Sequence, residues 1–203
     1  MKKAVIVGER QAQLIDVPDP QPKEDWAVVK VHATPMCTEY KLFLAGTRTE
    51  HLGHEAAGEV VAVAQPGRVK VGDRVVVMPL YACGKCELCL AGDYIHCEHT
   101  PDFARFVGSR EGSATYAQYL LKPGWLLAPI PDGLSYDRAS LALCALGPSF
   151  GAFQTMGVSA FDTVLITGLG PVGLGAVVNA RYRGARVIAV DSVPYRIERA
   201  RAM

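Results

Sequence analysis

The segment Gly168-Leu169-Gly170-Pro171-Val172-Gly173 constrains the fold more than any other stretch of the chain. It follows a short β-branched, apolar run at 163–167 and opens an Ala- and Val-rich stretch at 171–183, so the glycines fall at a strand-to-helix turn. In that setting each glycine has a mechanical role. Gly168 permits the tight turn, Gly170 lets the backbone approach a pyrophosphate, and Gly173 lets helix and strand pack closely. Pro171 and Val172 start a helix whose N-terminus would hold the phosphates. Gly184 closes that helix, and a second strand is expected at 186–190, which completes a βαβ unit. Asp191 ends this strand, eighteen residues after Gly173, where a carboxylate accepts hydrogen bonds from an adenosine ribose and repels a 2′-phosphate. The expected cofactor is therefore NAD. The plainer alternative is an ordinary glycine turn with Asp191 as a helix cap. Arg196 lies either near the adenosine or on a solvated helix face.

Cys83, Cys86, Cys89 and Cys97 fall within fifteen residues. Four thiolates at about 2.3 Å from one ion close a tetrahedron with no open position, the arrangement of a structural zinc site. An iron–sulfur loop of the bacterial kind would place its fourth Cys three residues on, followed by Pro. Here Cys97 comes eight residues after Cys89 and precedes Glu98. A secreted disulfide scaffold would be smaller and denser in Cys than 203 residues with six. His96 and His99 flank a filled shell and are expected on the surface.

Composition narrows the partner. Half of the residues are hydrophobic and 20% charged, which suits one folded domain plus part of another. A net charge of +1 provides no basic field for nucleic acid or an anionic membrane. The four-Cys loop sets Lys85 against Glu87, Asp93 and Glu98, which disfavours a zinc ribbon that binds nucleic acid. The apolar run after Met1-Lys2-Lys3 stops at Val7, too short for a secretory leader, and 141–158 is broken by Gly147, Pro148, Ser149 and Gln154. A cytoplasmic protein acting on a small molecule is expected. Strands are expected at 3–7, 26–33, 58–63 and 74–78, separated by Pro-, Gly- and Asp-rich turns, as in a barrel-like β unit. Residues 135–156 have helical composition interrupted at Gly147-Pro148, and a domain boundary is expected at 145–155.

Gly53-His54-Glu55-Ala56-Ala57-Gly58, Val71-Gly72-Asp73-Arg74-Val75, the four-Cys loop and the glycine turn occur in this order. Together they resemble the zinc-dependent medium-chain alcohol dehydrogenases, a family of alcohol, sorbitol and threonine dehydrogenases, along the whole chain. The resemblance implies a GroES-like β-barrel catalytic domain at 1–148 and the beginning of a Rossmann NAD-binding domain at 149–203. It implies a second, catalytic zinc held by Cys37 and His54, with Cys144 at the third ligand position and the fourth open to a substrate oxygen. Glu55 would support that zinc or pair with an Arg. On the residues alone, Cys37 and Cys144 read as buried small hydrophobes, and His51 as a loop residue. The implied reaction interconverts an alcohol or polyol with its aldehyde or ketone by hydride transfer, in an enzyme that forms homodimers or homotetramers.

Two departures stand out. After its first ligand Cys the family has any residue, then Ser or Thr, then Asp, and the hydroxyl relays the alcohol proton. The order here is Cys37-Thr38-Glu39-Tyr40. Without a gap, Glu39 takes the hydroxyl position; with one residue deleted, Thr38 is the hydroxyl and Glu39 replaces the Asp. The second departure is length. A six-stranded nucleotide sheet needs more strands than this chain supplies, so a noncatalytic zinc-stabilised fragment is the alternative reading.

Overall fold

The computed structural model describes residues 1–109 and 112–203. They divide into two units, Met1–Ser140 and Leu141–Met203.

In the first unit, β1 (Lys2–Gly8) and β2 (Gln11–Asp16) form an antiparallel hairpin. There follow β3 (Trp26–Ala33), α1 (Glu39–Ala45), β4 (Ala56–Val63), β5 (Arg74–Val77), α2 (Glu87–Leu90), α3 (Ala104–Val107), β6 (Tyr119–Pro123), β7 (Leu127–Pro129) and α4 (Tyr136–Ala139). Five of the strands make one antiparallel sheet in the order β6-β3-β4-β5-β7. That order forces curvature. Edges four strand spacings apart would lie about 19 Å from each other in a flat sheet. The chain from Pro123 to Leu127 reaches about 14 Å even when fully extended. The sheet therefore curls, and its concave side closes over Ala27, Val29, Val60, Val75, Leu120 and Leu127. This is the barrel-like β unit that the sequence leads one to expect. On the other face Trp26 stacks on Phe106 at 4.3 Å between centroids and Tyr81 on Phe103 at 4.4 Å, which fixes the segment around α3 against the sheet.

The second unit contains α5 (Gly147–Thr155), β8 (Thr163–Thr167), α6 (Pro171–Tyr182), β9 (Arg186–Val190) and α7 (Pro194–Arg201). β8 and β9 pair in parallel, Thr163 opposite Arg186 through Thr167 opposite Val190. Phe153, Ile166, Leu169, Val177 and Ala180 form its core. Asn179 on α6 donates from Nδ2 to Leu146 O and Ser149 Oγ, both at 2.8 Å, tying α6 to the start of α5.

Gly147-Pro148 does not interrupt a helix as the composition suggested; it begins one. Proline is favoured in a first turn because its missing N–H has no partner to lose there. The break comes earlier, in the turn after the short helical segment Ser140–Ala142. The strands β2, β6 and β7 were also not anticipated.

Among the buried polar residues of the first unit is a lysine. Leu120 and Lys122 share a face of β6 by strand alternation, and Lys122 is only 2% exposed, its Nζ 3.5 Å from the centroid of the Tyr81 ring. Burial lowers the Lys122 ammonium from its ordinary 10.5 to about 7. The folded chain thus releases that proton near pH 7 while the unfolded chain keeps it to about 10.5. Stability should rise with pH across this window, by up to about 1.4 kcal/mol per unit, and the dependence should stop below it, where both states are protonated. Urea unfolding at pH 7, 8 and 9 should show this rise, and Lys122→Met should raise the pH 7 midpoint and flatten the slope.

Candidate metal centres and nucleotide turn

The sulfurs of Cys83, Cys86, Cys89 and Cys97 all lie within 4.8 Å of one another. Cys83 and Cys89 are 3.9 Å apart at Sγ, Cys86 and Cys97 4.0 Å. A tetrahedron with arms of about 2.3 Å has edges of about 3.8 Å, so one zinc ion fits among them. The backbone builds this spacing locally. Cys86 is extended just ahead of α2, Cys89 lies on α2, and a helical turn, Tyr94–His96, delivers Cys97. The Cys83 N–H donates to Cys97 Sγ at 3.2 Å and the Cys86 N–H to Cys83 Sγ at 3.3 Å, bonds that favour thiolates. The Lys85 backbone, above the other contacts, pulls Cys83 down to about 6, whereas burial pushes Cys89 up to about 12. A dication among the four would favour ionisation of all of them. None of the six cysteines is in a disulfide, and His96 and His99 are exposed.

Cys37, His54 and Glu55 form a second group, their ligand atoms within 4.8 Å of one another. Glu39, at the first position of α1, is almost fully buried beside them. Its Oε1 lies 2.6 Å from His54 Nδ1, and its Oε2 accepts the Cys37 N–H at 2.8 Å. A His54 that donates from Nδ1 to this carboxylate presents the Nε2 lone pair to a metal. Thr38 is exposed at the helix boundary. Cys144 belongs to the second unit, three residues ahead of α5.

Three residues that the sequence did not single out hold this group in place. Thr34 Oγ1 donates to the Glu55 carbonyl at 2.9 Å and lies 2.9 Å from Thr115 Oγ1. The Thr115 and Tyr116 N–H groups donate to Leu52 O, and the Tyr116 hydroxyl donates to Pro35 O at 3.1 Å. Gly53 turns between them at φ +83°, where a Cβ would stand 2.2 Å from Thr115 Oγ1. Burial first, then the negative charge of Glu39, Glu55 and Cys37, pushes the Tyr116 phenol up to about 12. The group is thus an accumulation of negative charge suited to a cation.

The glycine turn leaves β8 at Gly168, φ +85°, and enters α6 at Pro171. A Cβ on Gly173 would lie 1.8 Å from Gly168 O, whereas Gly170 faces open space. Asp191 is turned inward. Its Oδ2 accepts the Leu169 N–H at 2.5 Å, its Oδ1 the Val193 N–H at 2.8 Å, and Arg196 stands 3.6 Å away. The Leu169 N–H, ahead of the Val193 N–H and Arg196, holds this carboxyl below its usual range. Arg196 is thereby an ion-pair partner of Asp191. No helix among the described residues is long and apolar enough to cross a membrane.

Residues 23–132 match the sequence profile of the alcohol dehydrogenase GroES-like domain. The chain is 34% identical over 213 residues to the sorbitol dehydrogenase of Bacillus subtilis (strain 168), covering 100% of this chain and 59% of that protein. Among solved structures, an alcohol dehydrogenase from Thermus sp. ATN1 aligns with a TM-score of 0.83 at 30% identity, covering 100% of this chain and 61% of that one. Acetophenone reductase from Geotrichum candidum, in complex with NAD, aligns with a TM-score of 0.82 at 26% identity over 99% of this chain and 60% of that one. The chain spans about three fifths of the length of these relatives.

Because Gly173 abuts the Gly168 carbonyl, Gly173→Val should part α6 from β8, at a cost of about 3 kcal/mol or more. Hydrogen exchange should show lost protection across α6 and β9 while β3 and β4 stay protected.

Proposed function

The chain belongs to the alcohol dehydrogenase GroES-like domain family, and on that premise we propose that it forms the zinc-holding domain and the first nucleotide-binding segment of an NAD-linked dehydrogenase. The reaction is the interconversion of an alcohol or polyol with its aldehyde or ketone. The observation that carries this reading is the group of Cys37, His54 and Glu55, buttressed by Glu39, in a chain that also gathers four further sulfurs. The sorbitol dehydrogenase among the relatives supports a polyol, and the NAD complex of acetophenone reductase supports the cofactor.

In this reading Cys37, His54 and Cys144 are the ligands of a catalytic zinc, with Glu55 beside them, and Cys83, Cys86, Cys89 and Cys97 hold a structural one. When bound, zinc supplies Lewis acidity toward the alcohol oxygen and nicotinamide supplies the hydride acceptor. Glu39, with an oxygen 2.6 Å from His54 Nδ1, orients that imidazole toward the ion, and through the Cys37 N–H it also sets the path of the ligand loop. The Cys37 N–H bond to Oε2 and the His54 imidazole beside Oε1 support a positioning role for this buried carboxylate, which leaves the exposed Thr38 hydroxyl to carry the proton outward. Gly168, Gly170, Pro171, Val172 and Gly173 present the turn to a pyrophosphate, and Asp191 with Arg196 forms the adenosine side. The complete enzyme is a homo-oligomer of cytoplasmic type. A noncatalytic zinc-stabilised chain is the second reading, favoured by the presence of only two parallel strands among the described residues; turnover of alcohols with NAD by the 203-residue chain would eliminate it.

Elemental analysis of the purified chain should find about two zinc ions per polypeptide, falling to one in Cys37→Ala and to one in Cys86→Ala. A single zinc unaffected by Cys37→Ala would sink the catalytic-site assignment. Glu39→Gln should keep both ions but weaken the Cys37-dependent one by about 10- to 100-fold in chelator competition.

A further inference from the structure

A cavity of about 40 Å³ lies in the first unit against Lys122, bounded also by Tyr81, Ser113, Thr115, Gly53 and His54. One water needs about 10–15 Å³ on this measure, so the space admits a group of a few non-hydrogen atoms. Its hydroxyls are already engaged: Ser113 Oγ with Leu121 O, Thr115 Oγ1 with Thr34 Oγ1, and the Tyr81 phenol with the Ser113 N–H. Lys122 is different. Among the described residues it has no carboxylate and no hydrogen-bond acceptor, and it is 2% exposed. The Tyr81 face at 3.5 Å favours a cation but brings no formal negative charge. Desolvation lowers the affinity of its amine for a proton, and among the described residues no charge opposes this. An ammonium in such a place is stabilised strongly by any anion small enough to enter, because the interaction is only weakly screened there.

We propose that this cavity is a binding site for a small carboxylate, held by an ion pair with Lys122. A carboxylate group matches the space, and its two oxygens complement the ammonium protons. A free carboxylate ion and the carboxylate end of a hydroxy acid share this chemistry.

The test is equilibrium dialysis of radiolabelled formate against the zinc-loaded chain and its Lys122→Met and Lys122→Gln variants, with zinc per chain measured on the same samples. Wild type should bind one formate, and both variants should bind it at least about tenfold more weakly while retaining their zinc. Competition by lactate but not lactamide would identify the site with the carboxylate end of a hydroxy acid; displacement by acetate alone would identify it with a free ion. Either supports the site. Equal formate affinity in wild type and Lys122→Met would overturn it, since the anion would then sit elsewhere, the zinc included. Absence of formate binding to wild type at about 10 mM, about tenfold above a weak Kd of about 1 mM, would overturn it whatever the variants do. Zinc content separates this proposal from the dehydrogenase reading: two zinc ions without formate binding remove only the anion site, and formate binding without zinc removes only the metal assignment.

Discussion

The helical turn at Gly124–Leu126 connects the two edge strands of a five-stranded sheet, and this short tether bends the sheet into a barrel. Curvature has a positional consequence. The loop after β3, the loop before β4 and the segment before β6 come from three places in the sequence, yet Thr34, Leu52 and Thr115 meet through direct hydrogen bonds. Those bonds set where Cys37, His54 and Glu55 emerge. A flat sheet of the same strands would leave β6 and the ligand loops on separate flanks, and no local propensity would compensate.

The second constraint is charge. Cys37, Glu39 and Glu55 gather acidic groups in a half-buried space, and Tyr116 holds its proton more tightly there, through burial first and then through their charge. Buried like charges destabilise a fold unless something offsets them. The Cys37 N–H, which donates to Glu39, and the His54 imidazole 2.6 Å from its other oxygen do part of this. The four-Cys loop shows the same tension in another form, with one thiol lowered by backbone donors and another raised by burial. Both groups have donor sets matched to a borderline-soft dication, thiolate and imidazole in one and thiolate alone in the other.

How much was legible in sequence depended on how far apart the contributing residues lie. The strands β3, β8 and β9 have the expected bounds because each is a compact β-branched run with turn residues on both sides. β2 escaped notice because it is largely solvent-exposed and shows no apolar alternation. β6 escaped because Lys122 and Pro123 disguise it, and β7 because three residues carry no pattern. The four sulfurs could be grouped from spacing alone, since one loop supplies them all. Cys37 and His54 could be grouped only by resemblance, and Thr34, Thr115 and Tyr116 by neither route. Their roles exist only once the barrel has curled.

Glu39 and Asp191 illustrate how a motif can name the right residue while leaving its work unstated. Each was singled out for contact with something outside the chain, a substrate proton in one case and a ribose in the other. Each carboxylate also serves the protein itself: Glu39 accepts the Cys37 N–H with His54 2.6 Å from its other oxygen, and Asp191 accepts the Leu169 and Val193 N–H groups. The two arrangements share a logic. A loop that must present backbone or ligand atoms to an ion or a phosphate carries unsatisfied N–H groups, and an inward carboxylate satisfies them while adding negative charge. At the Cys37 loop that charge stands 2.6 Å from an imidazole. At the glycine turn it stands beside Arg196. In both places the path of the loop is set by backbone N–H groups that converge on one inward carboxylate.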